Sequence, residues 1–263
     1  MDVFSPRSLD EALRLKSEHP AAIPIQGGTD VLVALNFDRL RPEAILNLGE
    51  VPELRGWSRT NGSVRLGAAL TYSEVLHEEV GALLPALAEA SRTVGSPQIR
   101  NRGTIGGNLG TASPAGDALP PLLVEGAEVE LAAVGGVRRL ALSEFLLGPK
   151  RNALAEDELI VAVHVSPSRQ PQTFMKVGPR NAMVIAVCSL AVVADRERGE
   201  LRASFGSASP VPGLVTCPIG DADSFPERVA GASSPIDDVR GTAAYRRHAL
   251  RVLARRALER CLA

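Results

Sequence analysis

Residues 102–117 read Arg102-Gly103-Thr104-Ile105-Gly106-Gly107-Asn108-Leu109-Gly110-Thr111-Ala112-Ser113-Pro114-Ala115-Gly116-Asp117. The glycines in this stretch permit positive φ angles and leave space beside the peptide N–H groups, which predicts a loop that displays its backbone to a ligand. Successive N–H groups that face one side bind anions such as phosphate. Hydroxyl and amide side chains add further partners, and Asp117 supplies an acceptor that suits a sugar hydroxyl. On composition alone, a long surface turn is an equally good interpretation.

A second glycine segment precedes this one and reads Pro24-Ile25-Gln26-Gly27-Gly28-Thr29-Asp30-Val31. It predicts a strand, a Gly-Gly turn and a short buried helix over residues 31–35, with Thr29 or Asp30 as the N-cap. The start of such a helix offers N–H donors to phosphate, and two segments of this kind suit a diphosphate better than one. Neither segment contains the P-loop pattern or the Rossmann G-x-G-x-x-G pattern, so a P-loop NTPase and a Rossmann dehydrogenase are disfavoured.

Taken together, the two segments resemble those of the FAD-binding (medium) subunit of the molybdenum hydroxylases, the xanthine dehydrogenase and carbon monoxide dehydrogenase family. The resemblance continues through Lys176-Val177-Gly178-Pro179-Arg180-Asn181-Ala182-Met183 and Tyr245-Arg246-Arg247-His248, so it spans nearly the whole chain. It implies non-covalent FAD. The residues that the resemblance and the two segments together assign to FAD are Pro24, Ile25, Gln26, Gly27, Gly28, Thr29, Asp30, Val31, Thr104, Ile105, Gly106, Gly107, Asn108, Thr111, Ser113, Asp117 and Lys176.

The fold implied by the resemblance is α+β. A two-lobed PCMH-type FAD-binding domain is expected over residues 1–165, with lobes at about 1–55 and 56–165. An α+β C-terminal domain of the medium-subunit type is expected over residues 172–263. The polar, proline-bracketed stretch Ser166-Pro167-Ser168-Arg169-Gln170-Pro171-Gln172 marks the boundary between them.

The function implied by the resemblance is electron transfer. Electrons would leave a substrate at a molybdopterin centre on a large subunit, pass [2Fe–2S] clusters on a small subunit and reach FAD on this chain. FAD would deliver them to NAD or another acceptor, as in xanthine dehydrogenase, which is the preferred relative. Because the flavin carries out this chemistry, no catalytic side chain is assigned to the protein.

Several alternatives stay open at this point. The chain resembles carbon monoxide dehydrogenase-type medium subunits and those of other aromatic or heterocycle hydroxylases as well. A free-standing flavoenzyme of the PCMH fold, or a scaffold that has lost FAD, is a further alternative. Val94 stands where animal xanthine dehydrogenases have an aromatic residue beside the flavin, so an aromatic stack from this side is not expected.

Composition narrows the partners and the kinds of site. With 29 basic and 30 acidic residues, the chain has no net field to attract nucleic acid or an anionic membrane. Residues 1–7 lack a signal-peptide pattern, so a cytoplasmic protein is expected. Cys188, Cys217 and Cys261 lie too far apart in sequence for an iron–sulfur or zinc site, and the four histidines are equally scattered. No metal site or nucleophile triad is therefore predicted on this chain.

The remaining predictions concern local structure. Helices are expected over residues 9–18, 72–78 and 83–91, a hairpin across Gly135-Gly136, and an amphipathic C-terminal helix with a stripe from Leu250 to Cys261. Residues 217–238 are expected to form an exposed connection with at most a short helix, and the apolar run from Val184 fits a strand or a buried helix. The arginines of the last helix suit a solvated face or a docking surface. Arg100 and Arg102 suit solvated charges or phosphate partners.

Overall fold

The structure is a computed structural model that describes all 263 residues. The first unit alternates strands and helices: β1 (Asp2–Phe4), α1 (Leu9–Glu18), β2 (Ile23–Ile25), α2 (Val31–Asn36) and β3 (Ala44–Asn47). The three strands are parallel in the order β1-β3-β2. Ser8 caps α1 by accepting the N–H of Glu11 at 3.2 Å, and Ala12 and Leu13 are buried on the inner side of this helix. Two 3₁₀ turns, Leu48–Glu50 and Pro52–Leu54, lead out of the unit.

The second unit is built on a five-stranded antiparallel sheet. Its elements are β4 (Trp57–Thr60), β5 (Ser63–Gly67), α3 (Tyr72–Val75), α4 (Glu78–Leu83), α5 (Pro85–Thr93), α6 (Pro97–Arg100), α7 (Ile105–Thr111), α8 (Leu119–Val124), β6 (Glu128–Ala133), β7 (Gly136–Ala141), α9 (Leu142–Phe145), β8 (Leu146–Gly148), β9 (Arg151–Asn152) and β10 (Leu159–Val165). The sheet order is β4-β5-β10-β6-β7, which places strand β10 at its centre. The helices between β5 and β6 cover one face of the sheet and form the largest apolar core with it.

The third unit is a four-stranded antiparallel sheet covered by helices. Its elements are β11 (Gln172–Val177), β12 (Cys188–Asp195), β13 (Glu200–Gly206), β14 (Gly213–Pro218), a 3₁₀ turn (Ile219–Ser224), α10 (Phe225–Ala232) and α11 (Ala243–Leu262). The strands pair in chain order. The predicted stripe of α11 is buried against this sheet, and all three cysteines are free thiols. No helix in the structure combines the length and the apolar character needed to cross a membrane.

Four local predictions were wrong or incomplete. Helix α2 is not buried: Leu32 and Val33 are each 49% exposed. Residues 105–111 form a helix and not an extended loop. Residues 217–238 contain a short helix, α10, as the prediction allowed, but this helix is not exposed throughout, because Phe225 and Val229 lie one turn apart and are buried. The arginines of α11 are not all on a solvated face, since Arg246 is only 2% exposed and donates to Ser207 and Asp238.

Candidate cofactor-binding site

A cavity of about 630 Å³ lies where the two glycine segments meet, a volume typical of sites for organic ligands. Most of the residues predicted from sequence line it: Pro24, Ile25, Gln26, Gly27, Gly28, Thr29, Asp30, Val31, Thr104, Gly106, Gly107, Asn108, Thr111, Ser113 and Asp117. Two predicted residues do not. Ile105 is fully buried in the large apolar core, and Lys176 reaches the site only through the carboxylate of Asp117.

Direct backbone packing brings the two segments together. A Cβ atom on Gly27 would overlap the carbonyl oxygen of Arg102, so only glycine lets the two chains lie this close. The Arg102 guanidinium donates to the carbonyl of Gln26 at 3.3 Å, and the Thr111 hydroxyl donates to Asp30 Oδ2 at 3.3 Å. One wall of the cavity is therefore shared by residues about eighty positions apart.

The first segment presents free backbone donors. Gly28 has a φ of 75°, which turns the chain, and the N–H groups of residues 27–30 donate to no protein acceptor. The cavity lining contains the acidic residues Asp30 and Asp117 but no lysine or arginine. A diphosphate here would be held by neutral N–H groups, as in the anion-binding turns of other proteins.

The second segment works differently from the prediction. None of its five glycines has a positive φ, and its first N–H groups are already bonded: Ile105 to the Leu70 carbonyl at 2.9 Å and Gly106 to the Ala68 carbonyl at 2.8 Å. The Thr104 hydroxyl caps α7 by accepting the N–H of Gly107 at 3.0 Å. A Cβ on Gly106 would lie 2.6 Å from the Cβ of Ala68, so this glycine serves close packing rather than N–H display.

Three buried acceptors in the cavity wall have no partner in the protein. They are Gln26 Oε1, Asn108 Oδ1 and Asp117 Oδ1. Buried polar atoms in native proteins are almost always hydrogen-bonded, so each of these oxygens requires a donor from elsewhere. A ligand rich in hydroxyl or N–H donors satisfies them. The residues present therefore fit FAD, whose diphosphate needs donors and whose sugar and ring groups supply hydroxyl and N–H donors.

A buried ion pair closes the site on the side of the third unit. Lys176 Nζ lies 2.6 Å from Asp117 Oδ2 and 3.2 Å from the carbonyl oxygen of Thr93, and the two charged side chains are only 5% and 9% exposed. Burial raises the pKa of Asp117 to about 6, although the Lys176 ammonium opposes the shift. Burial, reinforced by the Asp117 charge, also raises the pKa of Tyr72, whose ring lines the cavity. Asp117 is thus an ionisable acceptor with one oxygen free.

Apart from the position of Val94, the apolar walls of the cavity could not be predicted from the sequence. They come from separate parts of the chain: Val94, Gly95, Ile99, Leu154, Ile160, Met183, Val184 and Ile185. Met183 has a φ of 50°, a left-handed conformation that is unusual outside glycine. The sequence did not decide between a solvated and a phosphate-binding role for Arg100 and Arg102. In the structure, Arg100 donates to the main-chain carbonyls of Val94 and Gly95, and Arg102 donates to that of Gln26. All three acceptor residues line the cavity. Both arginines therefore brace the wall.

Comparison with known proteins agrees with this geometry. The family described as the FAD binding domain in molybdopterin dehydrogenase matches residues 1–168. The xanthine dehydrogenase FAD-binding subunit of Escherichia coli O157:H7 is 34% identical over 78% of this chain and 73% of that protein. The nicotine 6-hydroxylase medium subunit of Paenarthrobacter nicotinovorans is 31% identical over 97% of this chain and 94% of that protein. A chain of the carbon monoxide dehydrogenase of Hydrogenophaga pseudoflava superposes with a TM-score of 0.92 at 25% identity, covering 100% of this chain and 97% of that one. This chain therefore belongs to the family of FAD-binding domains of the molybdopterin dehydrogenases, as an FAD-carrying oxidoreductase subunit of the molybdenum hydroxylase type.

Proposed function

We propose that this chain passes electrons through FAD in a xanthine dehydrogenase-like complex, between [2Fe–2S] clusters on a small subunit and NAD or another acceptor. A molybdopterin large subunit would oxidise the substrate. The preference for xanthine rests on the relatives at 33–34% identity that are named as xanthine dehydrogenase FAD-binding subunits. The relatives named for nicotinate and nicotine keep a heterocycle hydroxylase as the second candidate.

The observation that carries the proposal is the pairing of free donors with free acceptors in one cavity. Residues 27–30 offer unbonded N–H groups, and the same cavity offers Asn108 Oδ1 and Asp117 Oδ1 without partners. FAD carries an anionic diphosphate between two donor-rich halves. We assign the diphosphate to residues 27–30 and a ribityl or ring donor to Asp117.

The protein's part in the reaction is to bind, orient and exclude water. FAD, when bound, supplies the hydride and single-electron chemistry that joins one-electron clusters to a two-electron acceptor. Lys176 holds the Asp117 carboxylate in place through their 2.6 Å contact. Gly106 lets α7 pack against Ala68, which positions Asn108 and Thr111 on the wall. The apolar residues Val94, Ile99 and Ile160 surround the space left for a flat ring system.

We also propose the division of the chain into an FAD-binding domain at residues 1–165 and a C-terminal domain at residues 172–263. The connection between β10 and β11 spans residues 166–171. Glu125 anchors it by accepting the Ser168 N–H and hydroxyl at 3.1 and 3.0 Å and the Gln172 amide at 2.7 Å. This boundary separates the five-stranded sheet from the four-stranded one.

The test is co-expression with candidate small and large subunits. The expected result is a complex on size-exclusion chromatography in which xanthine reduces the flavin, while the isolated chain binds FAD but shows no xanthine-dependent flavin reduction. Nicotinate and nicotine serve as alternative substrates. Substrate-dependent flavin reduction by the isolated chain, at the rate of the complex, would instead establish a free-standing flavoenzyme.

A further inference from the structure

Tyr72 places a phenol in the wall of the cavity, and its hydroxyl has no partner in the protein. The residue is only 4% exposed and lines the cavity. Its hydroxyl takes part in no hydrogen bond, yet it is not among the fully enclosed side-chain atoms that lack a partner. The hydroxyl therefore keeps part of the small surface that Tyr72 exposes. Because buried tyrosine hydroxyls usually find a hydrogen-bond partner, this one requires a partner from the occupant of the cavity.

The backbone fixes the place of this phenol. Tyr72 is the first residue of α3, and the helix begins with a reciprocal cap. Thr71 Oγ1 accepts the N–H of Glu74 at 3.2 Å, and the Glu74 carboxylate accepts the N–H of Thr71 at 2.7 Å. The N–H of Tyr72 donates to the carbonyl of Gly103 at 3.1 Å, and the ring is part of the largest apolar core. A side chain held in this way loses little further freedom when its hydroxyl binds a ligand.

Gly103 lies between the phenol and the segment of free N–H donors. A Cβ on Gly103 would lie 3.2 Å from Cδ2 of Tyr72. A Cβ on Gly27 would lie 3.2 Å from the nitrogen of Gly103. The same glycine therefore packs against the tyrosine ring and against the first residue of the segment 27–30, to which the diphosphate is assigned above. Tyr72 is thus the second unit's side chain beside that segment.

The electrostatics of the cavity make the hydroxyl a donor. Burial, reinforced by the charge of Asp117, raises the pKa of Tyr72, so the phenol keeps its proton at neutral pH. The lining contains no lysine or arginine, so neutral N–H and O–H groups must hold any diphosphate bound there. A hydrogen bond from a hydroxyl to an anionic oxygen is stronger than one between neutral groups.

We propose that the Tyr72 hydroxyl donates a hydrogen bond to the diphosphate of FAD. This inference rests on the proposed function and deepens it, because it names a side-chain donor on the second unit that faces the backbone donors of the first. The diphosphate is then held from both units, although the helix α7 uses its first N–H groups within the protein.

The experiment removes one oxygen atom with the variant Tyr72→Phe. The matched control is Tyr245→Phe, which changes the other of the chain's two tyrosines. Tyr245 is 48% exposed on α11 and does not line the cavity. Quenching of FAD fluorescence measures affinity, and phosphorus NMR of bound FAD reports on the surroundings of its diphosphate. Urea unfolding of the ligand-free proteins measures stability.

We expect Tyr72→Phe to weaken FAD binding at least about tenfold, as is usual when a hydrogen bond to a charged group is lost. At least one phosphorus resonance of bound FAD should shift in this variant. Tyr245→Phe should leave the resonances in place and change the affinity less than about twofold, because surface substitutions have small effects. The urea midpoint of ligand-free Tyr72→Phe should match that of the wild type, because the hydroxyl bonds to nothing in the protein.

Equal FAD affinity in Tyr72→Phe and the wild type overturns the inference and leaves the FAD assignment standing. Weaker binding without any shift of the phosphorus resonances overturns it as well, because the hydroxyl then contacts another part of FAD. Weaker binding together with a shifted resonance and an unchanged urea midpoint supports it. Wild-type protein that takes up no FAD refutes the proposed function itself, and this inference with it.

Discussion

Gly107→Val separates the role of the glycine segment in binding from its role in folding. Gly107 is exposed on α7 and lines the cavity, and a Cβ there would meet only the Thr104 hydroxyl, at 3.0 Å. Valine has a higher helix propensity than glycine, and this gain offsets the close contact with the Thr104 hydroxyl in the ligand-free protein. The free energy of unfolding should therefore change by less than about 1 kcal/mol. The branched side chain would occupy space meant for FAD. Overpacking of this kind costs about 1–3 kcal/mol, roughly 5- to 150-fold in Kd.

Gly106→Val is the matched control one residue earlier. A Cβ at this position would lie 2.6 Å from the Ala68 Cβ and 2.7 Å from the Ala68 carbonyl oxygen, which as part of the backbone cannot move aside cheaply. We expect this variant to lose about 3 kcal/mol or more of stability, or to fail to fold. Urea unfolding of the ligand-free proteins measures stability, and quenching of FAD fluorescence measures affinity. Wild-type FAD affinity in Gly107→Val would show that α7 does not face the cofactor.

Three further predictions follow from the site. FAD affinity should fall as the pH drops through about 6, because protonation of Asp117 removes its free acceptor, and Asp117→Asn should flatten this profile; equal pH dependence in both proteins would contradict the assignment. In the ligand-free protein the sign reverses. Because the pKa of Asp117 in the folded protein lies above its ordinary value, the free energy of unfolding should fall as the pH rises from about 4 to about 6. Urea titrations of the wild-type protein and of Asp117→Asn measure this fall. Purified protein should be yellow and release all its FAD on heat denaturation, since residues 24–31 and 100–117 contain no histidine or cysteine for a covalent bond; flavin retained by the precipitate would refute this.

Much of the fold was predictable because its elements carry local signals. Helix α1 begins after a serine cap and ends before Pro20, and α11 has its apolar residues at helical spacing. The predicted hairpin of β6 and β7 forms, with Val134 and Gly135 in the turn and Gly136 as the first residue of β7. The family, the α+β fold and the FAD cofactor are confirmed by the comparisons. The domain boundaries, the individual site residues and a cytoplasmic location stay predictions.

The parts that could not be predicted depend on contacts between distant residues. The glycines of residues 102–117 predict displayed N–H groups, but a glycine that permits close packing and one that permits a left-handed turn look the same in sequence. Only the approach of Ala68 to Gly106 decides between them. Helix α2 looked buried because its residues are apolar, yet the fold places no element over Leu32 and Val33. The wall formed by residues 183–185 is likewise a consequence of how the third unit packs.

The site as a whole is assembled from both ends of the chain, and this has a thermodynamic consequence. Asp117 on the second unit pairs with Lys176 on β11, and Met183 to Ile185 close the cavity from the same side. In the site proposed above, FAD would contact a surface that is complete only when the four-stranded sheet packs against the second unit. A ligand that binds only the docked form stabilises it by RT ln(1 + [L]/Kd), about 2.7 kcal/mol at a hundredfold excess over Kd. The proposed site therefore predicts that binding of the cofactor and docking of the third unit are coupled, and that the buried Lys176–Asp117 pair connects them.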